Sequence, residues 1–168
     1  MQVKARMMVP PEVREKFKSS VIVSEKPLPG GTGFKNLSGG SDEGVRFYVY
    51  SRSPELFGEP GPSPKYLGDI TVEAGSVKDL VGDKGAWLKK MGAGDDDRVA
   101  DVNFFYPLEE VETEFWEHGM GGKALDLLLE KLSEKFDWAM FFSPRPRMAE
   151  LLRSRDFAQD DDTWLKKL

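Results

Sequence analysis

The pattern of apolar and polar residues predicts its clearest elements in the second half of the chain. Leucines and a phenylalanine recur at helical spacing over Gly121–Phe136, which predicts an amphipathic helix with one buried face. Trp138–Phe142 is a short, wholly apolar run of the kind found in strands that are buried on both faces. A second helix is predicted over Pro146–Arg155, and a final short strand within Thr163–Leu168.

The first half has shorter apolar segments, separated by connections that are rich in glycine and proline. Its predicted elements are a strand over Gln2–Val9, a helix from Pro11 to about Ser19, a short extended piece at Val21–Val23, strands over Val45–Tyr50 and Tyr66–Val72, and a partly helical segment over Ser76–Met91. The strands Val45–Tyr50 and Tyr66–Val72 are expected to pair antiparallel. The connections at about 27–44 and 53–65 are expected to be flexible loops, because they offer little apolar surface to offset the entropy of ordering them.

A further strand is predicted within Val99–Val111. We expect it to be interrupted or bulged near Pro107, because proline cannot donate a hydrogen bond to a neighbouring strand. The order of elements along the chain predicts a single α/β domain over residues 1–168, in which helices cover one mixed sheet.

A cluster of three glycines lies directly before the long predicted helix, in the segment Glu117–Ala124. Glycines at a helix start leave backbone N–H groups exposed at the positive end of the helix dipole, where a pyrophosphate can bind, and Lys123 adds positive charge. The same glycines could also serve only to form a tight turn. Spacing alone supports an anion site and a structural turn equally. It argues against a dinucleotide site, because no paired βαβ unit with a ribose-binding acid is apparent.

Composition and charge narrow the function classes. The net charge of -5 argues against non-specific nucleic-acid binding, and no apolar run is long enough to span a membrane. With no cysteine and a single histidine, His118, we expect no metal site; the acidic runs Asp95–Asp97 and Asp160–Asp162 lack the spacing of a calcium loop. No signal-peptide segment follows Met1, so a cytoplasmic protein is expected.

The segment Val111–Leu125 resembles the motif Val-x-Pro-x-Tyr-Arg-Gly-x-Gly-x-Gly-x-x-Leu of the GCN5-related N-acetyltransferase (GNAT) family. The matching positions are Val111, Phe115, Gly119, Gly121 and Leu125. Downstream, Trp138–Ser143 resembles the fifth strand of that family, and Ala149–Phe157 resembles its last helix with the closing Gly-Phe. The resemblance extends over roughly residues 99–168, while the first half matches only in the order of elements.

The resemblance implies a mixed, mostly antiparallel sheet flanked by helices, with acetyl-CoA as co-substrate. The pantetheine arm would enter between the strand ending at Val111 and Trp138–Phe142, and would pair with the backbone of Glu109 to Val111. The residues implied in cofactor binding are Val111, Thr113, His118, Gly119, Met120, Gly121, Gly122, Lys123 and Ala124. The implied reaction is direct attack of a neutral amine on the thioester.

Candidates for proton transfer are the carboxylates Glu109, Glu110 and Asp101, with Tyr106 as an acid. The sequence departs from the family pattern at three positions. Trp116 replaces the usual Arg or Gln, Leu152 replaces a common proton-donating Tyr, and Asp156 replaces the Gly of Gly-Phe.

The first hypothesis is therefore an N-acetyltransferase that acts on an amine of a small molecule or a protein. The alternatives are a catalytically silent member of the fold that binds CoA or a protein partner, and an enzyme that modifies an unusual substrate such as a nucleobase. Arg145 and Arg147 could contact a phosphate or an acidic substrate, or could be a solvated pair. The oligomeric state stays open, with a homodimer among the alternatives.

Overall fold

One sheet organises the part of the chain that the computed structural model describes, which is residues 9–28, 44–80 and 83–168. Its strands are β1 Val21–Ser24, β2 Gly44–Ser51, β3 Lys65–Ser76, β4 Arg98–Pro107, β5 Trp138–Phe142, β6 Ala158–Asp160 and β7 Thr163–Lys167. Within the described residues the order across the sheet is β1-β2-β3-β4-β5-β7-β6. The pair β4–β5 is parallel and the other pairs are antiparallel.

The helices are α1 Pro11–Ser19, α2 Asp83–Lys90, α3 Glu112–Glu117, α4 Met120–Leu132 and α5 Pro146–Ser154. Short 3-10 turns lie at Pro54–Phe57, Val77–Asp79 and Glu109–Val111. None of the helices in the described part of the chain has the length and apolar character to cross a membrane.

The larger core lies between one face of the sheet and helices α1, α3, α4 and α5. The helices contribute buried side chains that include Phe17, Phe115, Leu128 and Leu152. Helix α2 lies on the opposite face, where Leu88 packs with Trp138 and other apolar residues of the central strands. Both faces of β5 are therefore covered, which explains its continuous apolar sequence.

Strands β4 and β5 stay paired over only part of their length. The pairing runs from Val99 opposite Trp138 to Val102 opposite Phe141. Strand β4 continues to Pro107, whereas β5 ends at Phe142. The two strands therefore separate beyond Val102 and leave a gap at their carboxyl ends.

The predicted fold class is confirmed, and so are most of the elements. Helix α1 has the predicted bounds, β5 occupies the predicted apolar run, and β2 and β3 form the predicted antiparallel pair. The predicted strand Gln2–Val9, apart from Val9 itself, and most of the predicted loop 27–44 lie outside the described residues. The three-residue strand β6 was not predicted.

The expected end of the fourth strand was wrong. Strand β4 ends at Pro107, and Glu109–Val111 form a 3-10 turn that helix α3 follows. Leu108 still donates its N–H to the carbonyl of Leu67, at 2.8 Å, and the N–H of Val111 then turns back to the carbonyl of Leu108. Val111 and Phe115 are both buried and stand four residues apart, so this segment places its apolar residues at helical spacing.

Candidate functional site

The gap between the ends of β4 and β5 opens into a cavity of about 360 Å³, which we call the β4–β5 cleft. Its walls come from four segments: the end of β4, the end of β5, helix α3 and the start of α5. The lining residues are Val102, Pro107, Glu112, Trp116, Phe141, Phe142, Pro144, Arg145, Pro146, Arg147 and Met148. Most of these side chains are apolar, and three of them carry a charge.

Trp116 forms the α3 wall of the cleft and is held from three sides. Its ring meets Phe115 edge-on at 5.2 Å between centroids, and Arg147 Cζ lies 5.9 Å from the centre of its ring. It also covers Gly121, where an added Cβ would lie 2.8 Å from Trp116 Cε3 and nearer still to Cζ3. Because real Cβ contacts are longer than this, Gly121 is needed to seat the indole.

A second cavity of about 410 Å³, which we call the cationic cavity, lies beside the first turn of α4. Helices α1 and α4 form two of its sides, and the end of α5 forms the third. Its lining residues are Arg14, Glu15, Lys18, Ser19, Gly119, Gly122, Lys123, Asp126, Leu151 and Arg155. Four cationic side chains therefore face two carboxylates, so the cavity carries net positive charge.

The start of α4 adds to the positive character of this cavity. Gly119 is the N-cap with φ of 75°, a left-handed conformation that favours glycine, and no side chain caps the helix. The first intrahelical bond runs from the N–H of Lys123 to the carbonyl of Gly119, at 3.3 Å. The amides of the preceding turn have no partner within the helix, and they lie at the positive end of its dipole.

Arg155 ties the end of α5 to α4. It donates to both carboxylate oxygens of Asp126, at 2.6 and 3.1 Å, and to the carbonyl oxygen of Gly122, at 3.2 Å. A Cβ on Gly122 would stand 3.0 Å from Arg155 Nη2, so this glycine allows the guanidinium to approach the helix. Arg155 is therefore a fixed wall of the cationic cavity.

His118 packs against α1. Its ring stacks on Phe17 with 3.9 Å between centroids, and its Nδ1 donates to the carbonyl oxygen of Glu114 at 2.7 Å. The ring is thus held in one orientation between α1 and α3, and it is not among the residues that line either cavity.

The nine residues expected to bind the cofactor do not all lie at one site. Gly119, Gly122 and Lys123 line the cationic cavity. The side chains of Val111, Met120 and Ala124 are buried in the core, and Gly121 lies under Trp116. Thr113 is exposed on α3. Glu109 to Val111, whose backbone was expected to pair with a pantetheine arm, form a 3-10 turn and not the end of a strand.

The residues expected to transfer a proton do not lie together at one site either. Glu109 and Glu110 are exposed and line neither cavity, and Glu110 pairs with Lys65 at 3.2 Å. The side chain of Tyr106 lies outside the described part of the structure. Asp101 is half-buried on the α2 side of the sheet, opposite Glu73 on β3. Burial raises the pKa of Asp101, Lys84 lowers it and Glu73 raises it, with a net upward shift.

Glu112 lines the cleft, although it was not among the sequence candidates. It stands at the first position of α3, four residues before Trp116, so the two share one side of the helix. The sequence signal that could have identified Glu112 is the helical spacing of Val111 and Phe115. A helix through these residues places Glu112 and Trp116 on the same side.

The acidic run Asp95–Asp97 takes structural roles. Asp95 pairs with Lys89 at 2.6 Å, Asp96 pairs with Lys78 at 3.0 Å, and Asp97 accepts the indole N–H of Trp138 at 3.0 Å. Among the described residues, no group of three or more His, Asp or Glu could hold a metal ion.

No protein-family model and no curated protein matches the chain by sequence. By structure, the chain is similar to NAA60 of Arabidopsis thaliana in complex with acetyl-CoA, at a TM-score of 0.51 and 12% identity, over 74% of this chain and 75% of that one. It is also similar to the KacTA–DNA complex, at a TM-score of 0.51 and 7% identity, over 88% of this chain and 92% of that one.

A third solved structure is the N-acetyltransferase YlbP of Bacillus subtilis in complex with coenzyme A. It has 10% identity and a TM-score of 0.42, over 73% of this chain and 67% of that one. At these identities a structural likeness establishes the fold alone. The two structures with a TM-score of 0.51 support that fold. The resemblance seen in the sequence is confirmed at the level of the fold: this chain has the fold of the GCN5-related N-acetyltransferases.

Proposed function

We propose that this chain binds acetyl-CoA and transfers its acetyl group to an amine. The observation that carries the proposal is the separation of β4 and β5 beyond Val102, which opens a mostly apolar cleft close to a cationic cavity at the start of α4. The likeness to NAA60, whose structure contains acetyl-CoA, supports the same assignment.

The phosphates of the donor would bind in the cationic cavity. Lys18 of α1 and Lys123 of α4 line it, and the first turn of α4 lies at the positive end of the helix dipole. None of the ion pairs found among the described residues includes Lys18, Lys123 or Arg14. These cations can therefore meet a phosphate without first breaking such a pair.

The thioester end of the donor would reach the β4–β5 cleft along α5. Leu151 and Arg155, at the end of α5, line the cationic cavity, whereas Arg147 and Met148, at its start, line the cleft. A nine-residue helix spans about 13 Å. One extended ligand can therefore contact both cavities, with its charged end beside α4 and its apolar arm between the strands.

Acetyl-CoA would supply an activated acyl group, which moves to the acceptor nitrogen as the carbon–sulfur bond breaks. The chain has to orient the amine and accept the proton that the nitrogen loses. Glu112 is the carboxylate that lines the cleft, so we assign it the role of proton acceptor, either directly or through water. Glu109, Glu110 and Tyr106 remain candidates from the sequence alone.

Binding is tested by calorimetry and thermal shift with acetyl-CoA and CoA. A ligand at 100 times its dissociation constant should stabilise the fold by about 2.7 kcal/mol, or about 5–10 °C for a chain of this size. Lys18→Gln should weaken binding about tenfold, because it removes one charge-assisted phosphate contact. Lys16→Gln is the matched control, since Lys16 is exposed on the same helix and lines neither cavity.

The proposal is wrong if neither ligand shifts the melting temperature at millimolar concentration. It is also wrong in its phosphate assignment if Lys18→Gln and Lys16→Gln reduce affinity equally.

A silent member of the fold that binds CoA is the second candidate function. Leu152 occupies the position at which the resembled family often has a proton-donating tyrosine, and it is fully buried in the core with no polar atom to donate. Thiol release from acetyl-CoA across an amine panel distinguishes the two candidates. The chain has no cysteine, so a thiol reagent reports only the free CoA that is produced. Binding without thiol release would favour the silent protein.

A further inference from the structure

The β4–β5 cleft presents charges of both signs, although most of its walls are apolar. Glu112 begins α3, Arg147 lies in the first turn of α5, and Arg145 is the N-cap residue of α5. An apolar cavity with one carboxylate and two guanidinium groups is suited to a small ligand that itself carries both charges.

Arg147 is positioned by the cleft wall. Its guanidinium lies over the indole of Trp116, with Cζ at 5.9 Å from the ring centre. A guanidinium held over a ring by a cation–π contact keeps N–H groups able to donate to an anion. Among the described residues, no ion pair includes Arg147 or Glu112.

The start of α5 favours a negative charge at the same place. Pro146 has no N–H, and the first intrahelical bond runs from the N–H of Ala149 to the carbonyl of Arg145, at 2.8 Å. The N–H groups of Arg147 and Met148 therefore have no partner within the helix. A guanidinium can bind a carboxylate with two parallel hydrogen bonds, and amides at a helix start favour the same kind of anion.

We infer that the acceptor is an amino acid, with its ammonium group at Glu112 and its carboxylate at Arg147 and the start of α5. This inference rests on the proposed acetyl transfer. Acetylation needs an amine, and Glu112 would hold the ammonium form and take its proton. The arginine side of the cleft suits an anionic group, which the same small molecule can supply. The cleft must also hold the thioester end of the donor, so about 360 Å³ leaves room for a small acceptor.

An anionic acyl group on the donor could use the same arginines, so the experiment separates the two sources. Thiol release from acetyl-CoA is measured with the standard amino acids other than cysteine, whose own thiol would react with the reagent, and with their methyl esters. We expect at least one amino acid to have a KM about tenfold or more below that of its ester, because the ester has lost the carboxylate. Calorimetry with acetyl-CoA and succinyl-CoA reports whether the donor contacts Arg147.

Arg147→Gln should raise the KM for the preferred amino acid about tenfold, with little change for the methyl ester or in the affinity for either CoA ester. Arg147→Lys, which keeps the charge but loses the planar donors, should recover part of the effect. Arg153→Gln is the matched control: Arg153 lies on the same helix over Trp164, and it lines neither cavity.

Equal KM values for acids and esters would overturn the inference, and so would acetyl-CoA binding with no amino acid acetylated. Selective loss of succinyl-CoA affinity in Arg147→Gln would assign the arginine to the donor instead. In these cases acetyl-CoA still binds and only the acceptor assignment fails. Absence of acetyl-CoA binding overturns the proposed function as well.

Discussion

Replacing Gly121 with alanine tests how the start of α4 and the wall of the cleft are joined. The new methyl group would lie 2.8 Å from Trp116 Cε3, nearer still to Cζ3, and 3.3 Å from Phe115 Cε2. Carbon atoms in contact prefer about 3.5–4.0 Å, so the indole has to move by about 1 Å toward the cleft. Overpacking of this kind costs about 1–3 kcal/mol, whereas alanine in a helix gains at most about 1 kcal/mol over glycine. We expect Gly121→Ala to lower the free energy of unfolding by about 1 kcal/mol.

The assay is chemical denaturation of Gly121→Ala in two backgrounds, the natural chain and Trp116→Ala. Removing the indole removes the clash, so in the second background alanine should stabilise the helix by up to about 1 kcal/mol. The same substitution therefore changes sign between backgrounds, and the double-mutant cycle gives the interaction between positions 116 and 121. Calorimetry with acetyl-CoA completes the assay, since a displaced indole narrows the cleft and should weaken binding in Gly121→Ala.

An equal cost of Gly121→Ala in both backgrounds would refute the reasoning. It would show that the indole is not what Gly121 accommodates, and that the cost arises at Phe115 or in the helix backbone. If Gly121→Ala stabilised the natural chain, Trp116 would have to move aside at little energetic cost.

Three other substitutions test the core, a buried polar contact and one titrating group. Leu128→Ala should lower the free energy of unfolding by about 2–5 kcal/mol in denaturant titrations, because Leu128 is 1% exposed; a loss under about 1 kcal/mol would contradict its place in the core. Ser51→Ala should lower the free energy of unfolding by about 1–3 kcal/mol, because the buried Ser51 hydroxyl donates to Ser20 Oγ at 2.8 Å and accepts from the N–H of Ser53 at 3.2 Å. The matched exposed change Ser133→Ala should lower it much less. Asp101→Asn should raise the melting temperature at pH 7. Burial raises the pKa of Asp101, so the folded protein loses stability as the pH rises above 3.8, the ordinary pKa of an aspartate. The stability gained by the asparagine variant should therefore vanish below pH 3.8. A gain that stays constant from about pH 3 to 7 would contradict this cause.

The elements that could be predicted are those that the sequence marks with a long apolar pattern or a clear start signal. Helix α4 and strand β5 carry long or continuous apolar patterns, and α1 is marked by Pro11 at its first position. Strand β6 has three residues, two of them exposed, so no alternation of burial marks it. Its pairing with β7 depends on a tight turn in which Asp161 has φ of 53°, a conformation that the residue type only weakly predicts.

The segment between β4 and α4 could not be assigned from its motif. Its resemblance to a strand followed by a loop predicts extended backbone up to Val111, whereas the spacing of Val111 and Phe115 is that of the helix in the structure. The difference matters most at the site. The motif predicts Glu109 and Glu110 on a strand beside the cleft, whereas the side chains that line it there are Glu112 and Trp116.

The cationic cavity could not be predicted from local sequence either. Arg14, Lys18 and Arg155 come from the two ends of the chain, and the packing of α1 and α5 against α4 brings them together. Only tertiary structure relates such distant positions, and no spacing rule along the chain contains that information.

The three glycines at the start of α4 have a more specific explanation than the one that their spacing suggests. Spacing alone predicts bare backbone open to an anion. In the structure an added Cβ at each of the three would meet a side chain: Gly119 that of Arg14, Gly121 that of Trp116, and Gly122 that of Arg155. Two of these side chains are cations that line the cavity. The glycines therefore allow guanidinium groups close to the helix start, where positive side chains and the helix dipole would together attract an anion. An anion site built in this way should depend on salt and on Lys18 and Arg14 more strongly than a site made of amides alone.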